Sequence, residues 1–199
     1  MMTRKILVKC LLTVFVLSIM ACGGLHFNQL SPEAKNIHPR RIALFPLEVW
    51  NHKEVDSRIA VEQILADALV EKKLFDNVLD AGSLKKKLQE DQGLSQLKAE
   101  YLAKLQMLNF SDPDLIKKIG NMIDADSFLL LSVDEWKYYT QGDKKLAEVG
   151  LSMAMYDIAT GNLIWKANHS IVEDYLLLKP ELSKVARGVI HKMIRYIPH

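Results

Sequence analysis

The hydrophobic period changes once in the C-terminal half of this chain, and that change limits the folds open to it. In Leu146 to Tyr156 (LAEVGLSMAMY), Val149, Leu151, Met153 and Met155 alternate with Gly150, Ser152 and Ala154, the period of two that marks a strand with one buried face. Ser127 to Tyr139 (SFLLLSVDEWKYY) and Leu163 to Val172 read as strands on either side of it. The last of these returns from a turn at Asp157 to Asn162 (DIATGN). Then the period lengthens. Leu182, Val185, Ala186, Val189, Ile190, Met193, Ile194 and Ile197 fall at helical spacing, with Pro180 near the start and Pro198 near the end. A helix with one apolar stripe must bury it, and the apolar face of a sheet is the natural surface.

The N-terminal half adds elements of the same kind. Arg41 to Trp50 (RIALFPLEVW) is an apolar strand in which Pro46 implies an end, a bulge or an edge position. Asp56 offers an N-cap to a helix whose Ile59, Val61, Ile64, Leu65, Ala68 and Leu69 share one face. Phe75 to Leu79 is a short strand, with Gly82-Ser83 as punctuation. Leu84 to Asn109 is rich in Lys, Glu, Gln and Leu, and predicts one or two amphipathic helices broken near Gly93. Ser111-Asp112-Pro113 opens another, with Pro113 at a favoured first-turn position and Leu115, Ile116, Ile119, Met122 and Ile123 toward the core. The order predicts a single α/β domain of α+β type over residues 40–199. Its mixed sheet carries helices and ends in an antiparallel three-strand meander and a closing helix.

Residues 1–21 read as an export leader. Arg4 and Lys5 give a basic start, Cys10 to Met20 an apolar run of 11 residues, and Ala21 a small residue before a cut. The run is well short of the roughly 20 residues that span a bilayer as a helix. Leu17 to Cys22 (LSIMAC) resembles a bacterial lipobox, with Ile19 and Met20 tolerated rather than preferred at their positions. An ordinary signal-peptidase site at Ala21 is the alternative. The resemblance implies lipid on the Cys22 thiol, palmitate included, and two or three acyl chains in all, where one chain alone anchors only reversibly. Gly23, by the sorting rule of enteric bacteria, implies the outer membrane, with the domain facing the periplasm. Residues 22–39 are then the lipidated N-terminus and a tether. Residues 23–39 show no regular period, contain Pro32 and Pro39, and reach at most roughly 60 Å when extended.

Charge and cysteine usage close several routes. The 26 Lys and Arg against 24 Asp and Glu give +2, but Arg4, Lys5 and Lys9 leave with the leader, so the remainder is −1. A near-neutral domain has no electrostatic footprint for nucleic acid or for an anionic membrane surface. Cys10 leaves as well, and Cys22 is then the one remaining cysteine. No internal disulfide can form, and a lipidated Cys22 offers no thiol to a metal or a substrate.

Three stretches together resemble a known group. Arg41 to Trp50 is similar to the opening strand of the periplasmic domain shared by the TolB N-terminal region, the CsgG secretion lipoprotein and the LpoB activator of peptidoglycan synthases. Ile119 to Asp126 (IGNMIDAD) is similar to the segment that precedes a strand there. Met155 to Trp165 (MYDIATGNLIW) matches their hairpin, a strand, then D..TG, then an apolar residue and Trp. Val133 to Trp136 (VDEW) is closer still to small bacterial lipoproteins of unassigned function. The resemblance implies a protein-binding scaffold with no catalytic residue to carry over. The chain departs from the synthase activator in lacking a long disordered tether. It also departs from CsgG in lacking paired lipid-facing hairpins of about 9–11 residues per strand.

Few residues invite chemistry. The histidines are His26, His38, His52, His169, His191 and His199, and none forms a helical i, i+4 pair or an H-E-x-x-H motif. His169 reads as a surface or half-buried strand residue. No nucleophile elbow or phosphate loop is present. Asp124, Asp126, Asp134 and Glu135 are the carboxylates a hydrolase would need in a facing pair. Asp124 and Asp126 more simply end a helix and begin a strand, and Asp134 and Glu135, adjacent in a strand, should point to opposite faces. Lys85-Lys86-Lys87 is balanced by Glu90 and Asp91 as a solvated helix face. Asp157, Thr160 and Gly161 have the chemistry of a structural turn, with Trp165 packing back on the sheet. Trp136, Tyr138 and Tyr139 lie near a strand end. Core packing is their simpler role, and as exposed aromatics they would mark a partner-binding site.

These observations predict a non-enzymatic lipoprotein anchored by Cys22, with no metal or cofactor, acting as a protein-binding accessory factor in the envelope. A self-assembling ring or secretion subunit, hence a homo-oligomer, is the alternative, and an envelope hydrolase comes third. An exposed apolar helix face within Leu84–Asn109 would favour either the docking or the self-assembling reading, and convergent carboxylates in a deep pocket would favour the enzyme.

Overall fold

The computed structural model describes residues 25–46 and 55–199. The leader, Cys22, Trp50 and His52 lie outside the described residues. The sheet has six strands in the order β1-β6-β5-β4-β2-β3. These are β1 (Phe27–Leu30), β2 (Arg41–Leu44), β3 (Asn77–Leu79), β4 (Ser127–Gln141), β5 (Lys144–Asp157) and β6 (Leu163–Tyr175). The strand β2 runs parallel to β3 and β4, while β4, β5, β6 and β1 pair antiparallel. The helices are α1 (Val55–Glu71), α2 (Ala81–Glu90), α3 (Gln92–Leu108), α4 (Pro113–Ile123) and α5 (Leu182–Met193). The mixed sheet, meander and closing helix are those expected.

One face of the sheet is covered by α1 and α5. Val149, Leu151, Met153 and Met155 of β5 meet Val61, Leu65 and Leu69 of α1 and Val185, Val189, Ile190 and Met193 of α5 in one buried core. Ile59, placed with this face by its spacing, is exposed instead. The helix begins at Val55, so Asp56 stands inside it rather than at its cap. The second face is covered only in part. α2, α3 and α4 bury Leu84, Leu94, Tyr101, Leu102, Ile116 and Ile119 against Ala43, Phe45 and Phe128. Met122 of α4, expected in this core, is exposed. The break between α2 and α3 falls at Asp91, whose side chain caps α3 through the Leu94 N–H. Asp112 caps α4 through the amides of Asp114 and Leu115, ahead of Pro113.

The sequence reading makes 23–39 an unstructured tether, and over Phe27–Asn36 the structure differs. β1 zips onto the edge of β6 with Phe27 opposite Asn168 and Leu30 opposite Trp165. A 3₁₀ turn at Pro32–Asn36 follows and sinks Ala34 into the first core. An edge strand of four residues, with every side chain partly in water, leaves no hydrophobic period to read.

Two local devices set the geometry of the meander. Asp157 closes the β5–β6 turn, its carboxylate accepting from the Thr160 amide and hydroxyl at 2.8 and 2.6 Å. Gly161 takes φ +76° there, and a Cβ would also lie 3.1 Å from the Pro113 Cα. On β4, Val133 faces Leu151 and Glu135 faces Gly150, so Asp134 is the extra residue of a β-bulge. The bulge shifts the alternation by one, and Trp136 and Tyr138 join Val133 against the first core. It also overturns the expectation that Asp134 and Glu135 point to opposite faces. Asp134 accepts from Ser152 Oγ at 2.5 Å, and Glu135 packs over Gly150, so both lie on the open second face.

Candidate functional site

The meander runs beyond the reach of α2, α3 and α4, and three regions of the molecule remain available. The first is the strand end at Tyr175. Tyr138 Oη donates to the Pro180 carbonyl at 2.7 Å, Lys179 Nζ lies 3.5 Å from the centre of the Tyr138 ring, and Tyr175 meets that ring edge-on. Tyr175 and Lys179 bracket Leu176, Leu177 and Leu178, whose side chains are 88, 96 and 89% exposed. Tyr138 thus holds both ends of an apolar loop. The two-residue turn joining β4 and β5 stands at the same end, with Gly142 at φ +61°, as a type II′ turn requires.

The second region is the open face of β4 and β5. Lys137 Nζ lies 2.7 Å from Glu135 and 3.5 Å from Glu148, and 5.4 Å from the centre of the Tyr139 ring. Bonding to Glu135 holds the Lys137 ammonium above the usual lysine range, with Glu148 adding to it. Of the three aromatics singled out by sequence, Trp136 and Tyr138 face the first core and Tyr139 this open face. The structure does not gather them into one site.

The third region is the opposite end, beside the β5–β6 turn. Met107 is 83% exposed, and Leu108 and Phe110 project beside it, where Lys104 ties the end of α3 to Asp112 at 2.8 Å. The sequence reading of Leu84–Asn109 as amphipathic does not single them out. They follow the last buried turn of α3, where the stripe no longer meets a core.

The carboxylates are engaged structurally. Asp126 accepts the backbone amides of Arg40 and Arg41 at 3.2 and 3.0 Å, and the Arg41 guanidinium bonds Asp124, which ends α4 at φ 55°. No group of three His, Cys, Asp or Glu among the described residues could hold a metal ion. His169 is 5% exposed rather than at the surface, both ring nitrogens lack a partner, and His26 packs edge-on at 4.6 Å. Burial, with Lys192 and His26 nearby, lowers its pKa to about 4. A cleft of about 780 Å³ between the ends of α1 and α5 collects Lys72, His191, Lys192, Arg195 and His199. Among the described residues no helix is long and apolar enough to cross a membrane.

No family model matches the chain, and no curated protein matches it. Among solved structures, the PelC dodecamer from Paraburkholderia phytofirmans is similar at 17% identity and TM-score 0.54, over 86% of this chain and 95% of that one. Lipoprotein GNA1162 from Neisseria meningitidis is similar at 15% identity and TM-score 0.50, over 79% and 99%. At these identities the likeness is one of fold.

Proposed function

We propose that this chain is a non-enzymatic envelope lipoprotein, held by acyl chains on Cys22 at the periplasmic face of the outer membrane, that docks a protein partner. The observation that carries the docking role is the exposed apolar end of α3, Met107, Leu108 and Phe110. Such a patch costs free energy in water roughly in proportion to its area, and a protein surface is what usually covers it. β1 runs toward that end of the sheet, from Phe27 opposite Asn168 to Leu30 opposite Trp165, so a domain held through the chain before Phe27 would present the patch away from its anchor. The fold shared with a named lipoprotein supports the anchoring. The TolB, CsgG and LpoB resemblance in the sequence supports an accessory role in an export or cell-wall machine.

A second reading, a subunit that assembles with its own copies, is favoured by the same patch and by the dodecameric state of the PelC neighbour. A photo-crosslinking residue at Phe110, tested in whole cells, separates the two. A crosslink to a different envelope protein supports the docking role, and crosslinks only between copies of this chain support assembly. No crosslink from a chain that is acylated and folded refutes both.

A further inference from the structure

The loop Leu176–Leu177–Leu178 is the most exposed apolar segment of the described residues. It is not slack chain. Tyr175 before it and Lys179 and Pro180 after it are fixed on Tyr138 by the ring contact, the cation–π contact and the 2.7 Å hydrogen bond described above. A loop whose stems are fixed while three leucines face water is shaped to put them into something else.

The register of β1 says what lies there. Phe27 opposes Asn168 and Leu30 opposes Trp165 in an antiparallel pair. Traced backward from Phe27, the chain therefore heads along β6 toward Tyr175, the residue that opens the leucine loop. Covalent geometry limits the five steps from Cys22 to Phe27 to roughly 18 Å. Phe27 pairs seven residues short of Tyr175, a span of about 23 Å, so this length of chain allows the lipid-bearing residue to approach the leucine loop.

We propose that Leu176, Leu177 and Leu178 enter the headgroup–acyl boundary of the membrane that holds the acyl chains of Cys22. The proposal rests on the lipoprotein reading and adds to it a second attachment, through side chains. An interfacial element of this kind seats its apolar groups about 5–10 Å into the bilayer boundary, a depth that leucine side chains on a loop tip can reach while the strands stay in water. Two attachments, one lipid and one loop, would hold the domain at one orientation, where the acyl chains alone would let it swing.

The test uses the full chain, exported, processed and reconstituted into vesicles of phosphatidylethanolamine and phosphatidylglycerol. Acylation of Cys22 leaves Leu177→Cys as the one free thiol, which takes an environment-sensitive NBD label. Met107→Cys, labelled alike, reports on the opposite end. The expected result is a blue-shifted label at position 177, quenched by doxyl groups on the lipid and several-fold less accessible to aqueous iodide than the label at 107. Adding Leu176→Ser and Leu178→Ser to the labelled chain should return the signal to its aqueous form, which shows that the leucines rather than the dye drive entry. An acylated, vesicle-bound chain whose label at 177 stays open to iodide overturns the proposal and leaves the lipoprotein reading standing. Protection from iodide without doxyl quenching, with a doubled mass in detergent, assigns the loop to a second copy and also overturns it. An intact mass without acyl chains overturns both readings.

Discussion

The indole N–H of Trp165 donates to the side-chain oxygen of Asn28 at 2.8 Å, across 137 residues of sequence. Trp165 is fully buried, so this bond fastens the edge strand to the core from within. Asn28→Ala should lower stability by about 1–3 kcal/mol, because it leaves the buried indole N–H without a partner. The loss should concentrate in β1. Hydrogen exchange at residues 27–30 is the measurement, and protection unchanged from the parent chain would show that the bond is incidental.

Gly161 answers to two constraints at once, a φ of +76° and the approach of Pro113. Gly161→Val should cost at least about 1–2 kcal/mol from the left-handed conformation alone, and the contact with Pro113 should add to it. Thermal melting measures this. A melting curve like the parent's would mean that the turn does not hold α4 against the meander.

His169 makes stability depend on pH. Its folded pKa, about 4, lies below the ordinary value of 6.5, mainly through burial, with Lys192 and His26 contributing. Between these values the unfolded chain binds the proton more readily, so stability is full above about 6.5 and declines as pH falls toward 4. His169→Phe should flatten that part of the profile, because it removes the titrating group, and it also removes two buried nitrogens without partners. A profile equally steep in the variant would move the effect to other groups.

Cys22→Ser should block lipid attachment and leave the precursor uncut. Metabolic labelling with palmitate reads this directly, and normal labelling of the variant would end the lipobox reading.

The parts of the fold legible in the sequence are those where a buried face forces a period. α4 and α5 and the inner half of β4, β5 and β6 announce themselves because each meets a core along its length. Asp112-Pro113 and Asp157 to Gly161 were legible for a different reason, since caps and tight turns are built from few residue types. β1 was not, because an edge strand of four half-exposed residues buries no stripe. The bulge did leave a sign. The alternation Leu129, Leu131, Val133 resumes as Trp136 and Tyr138, a slip of one residue at Asp134 that only a bulge permits if both halves face the same core. Of the regions considered for function, the leucine loop and the end of α3 escaped notice because exposure is a property of what fails to cover a residue, which local periodicity does not encode.

The docking of β1 also turns the sheet into a spacer. The 14 residues of β5, at about 3.3 Å each, span roughly 45 Å, and they separate the leucine end from the end that carries Met107 and Phe110. If the leucine end is seated in a bilayer as proposed, the second end stands at a set height above it. A partner docking there would be met away from the membrane surface rather than flush with it.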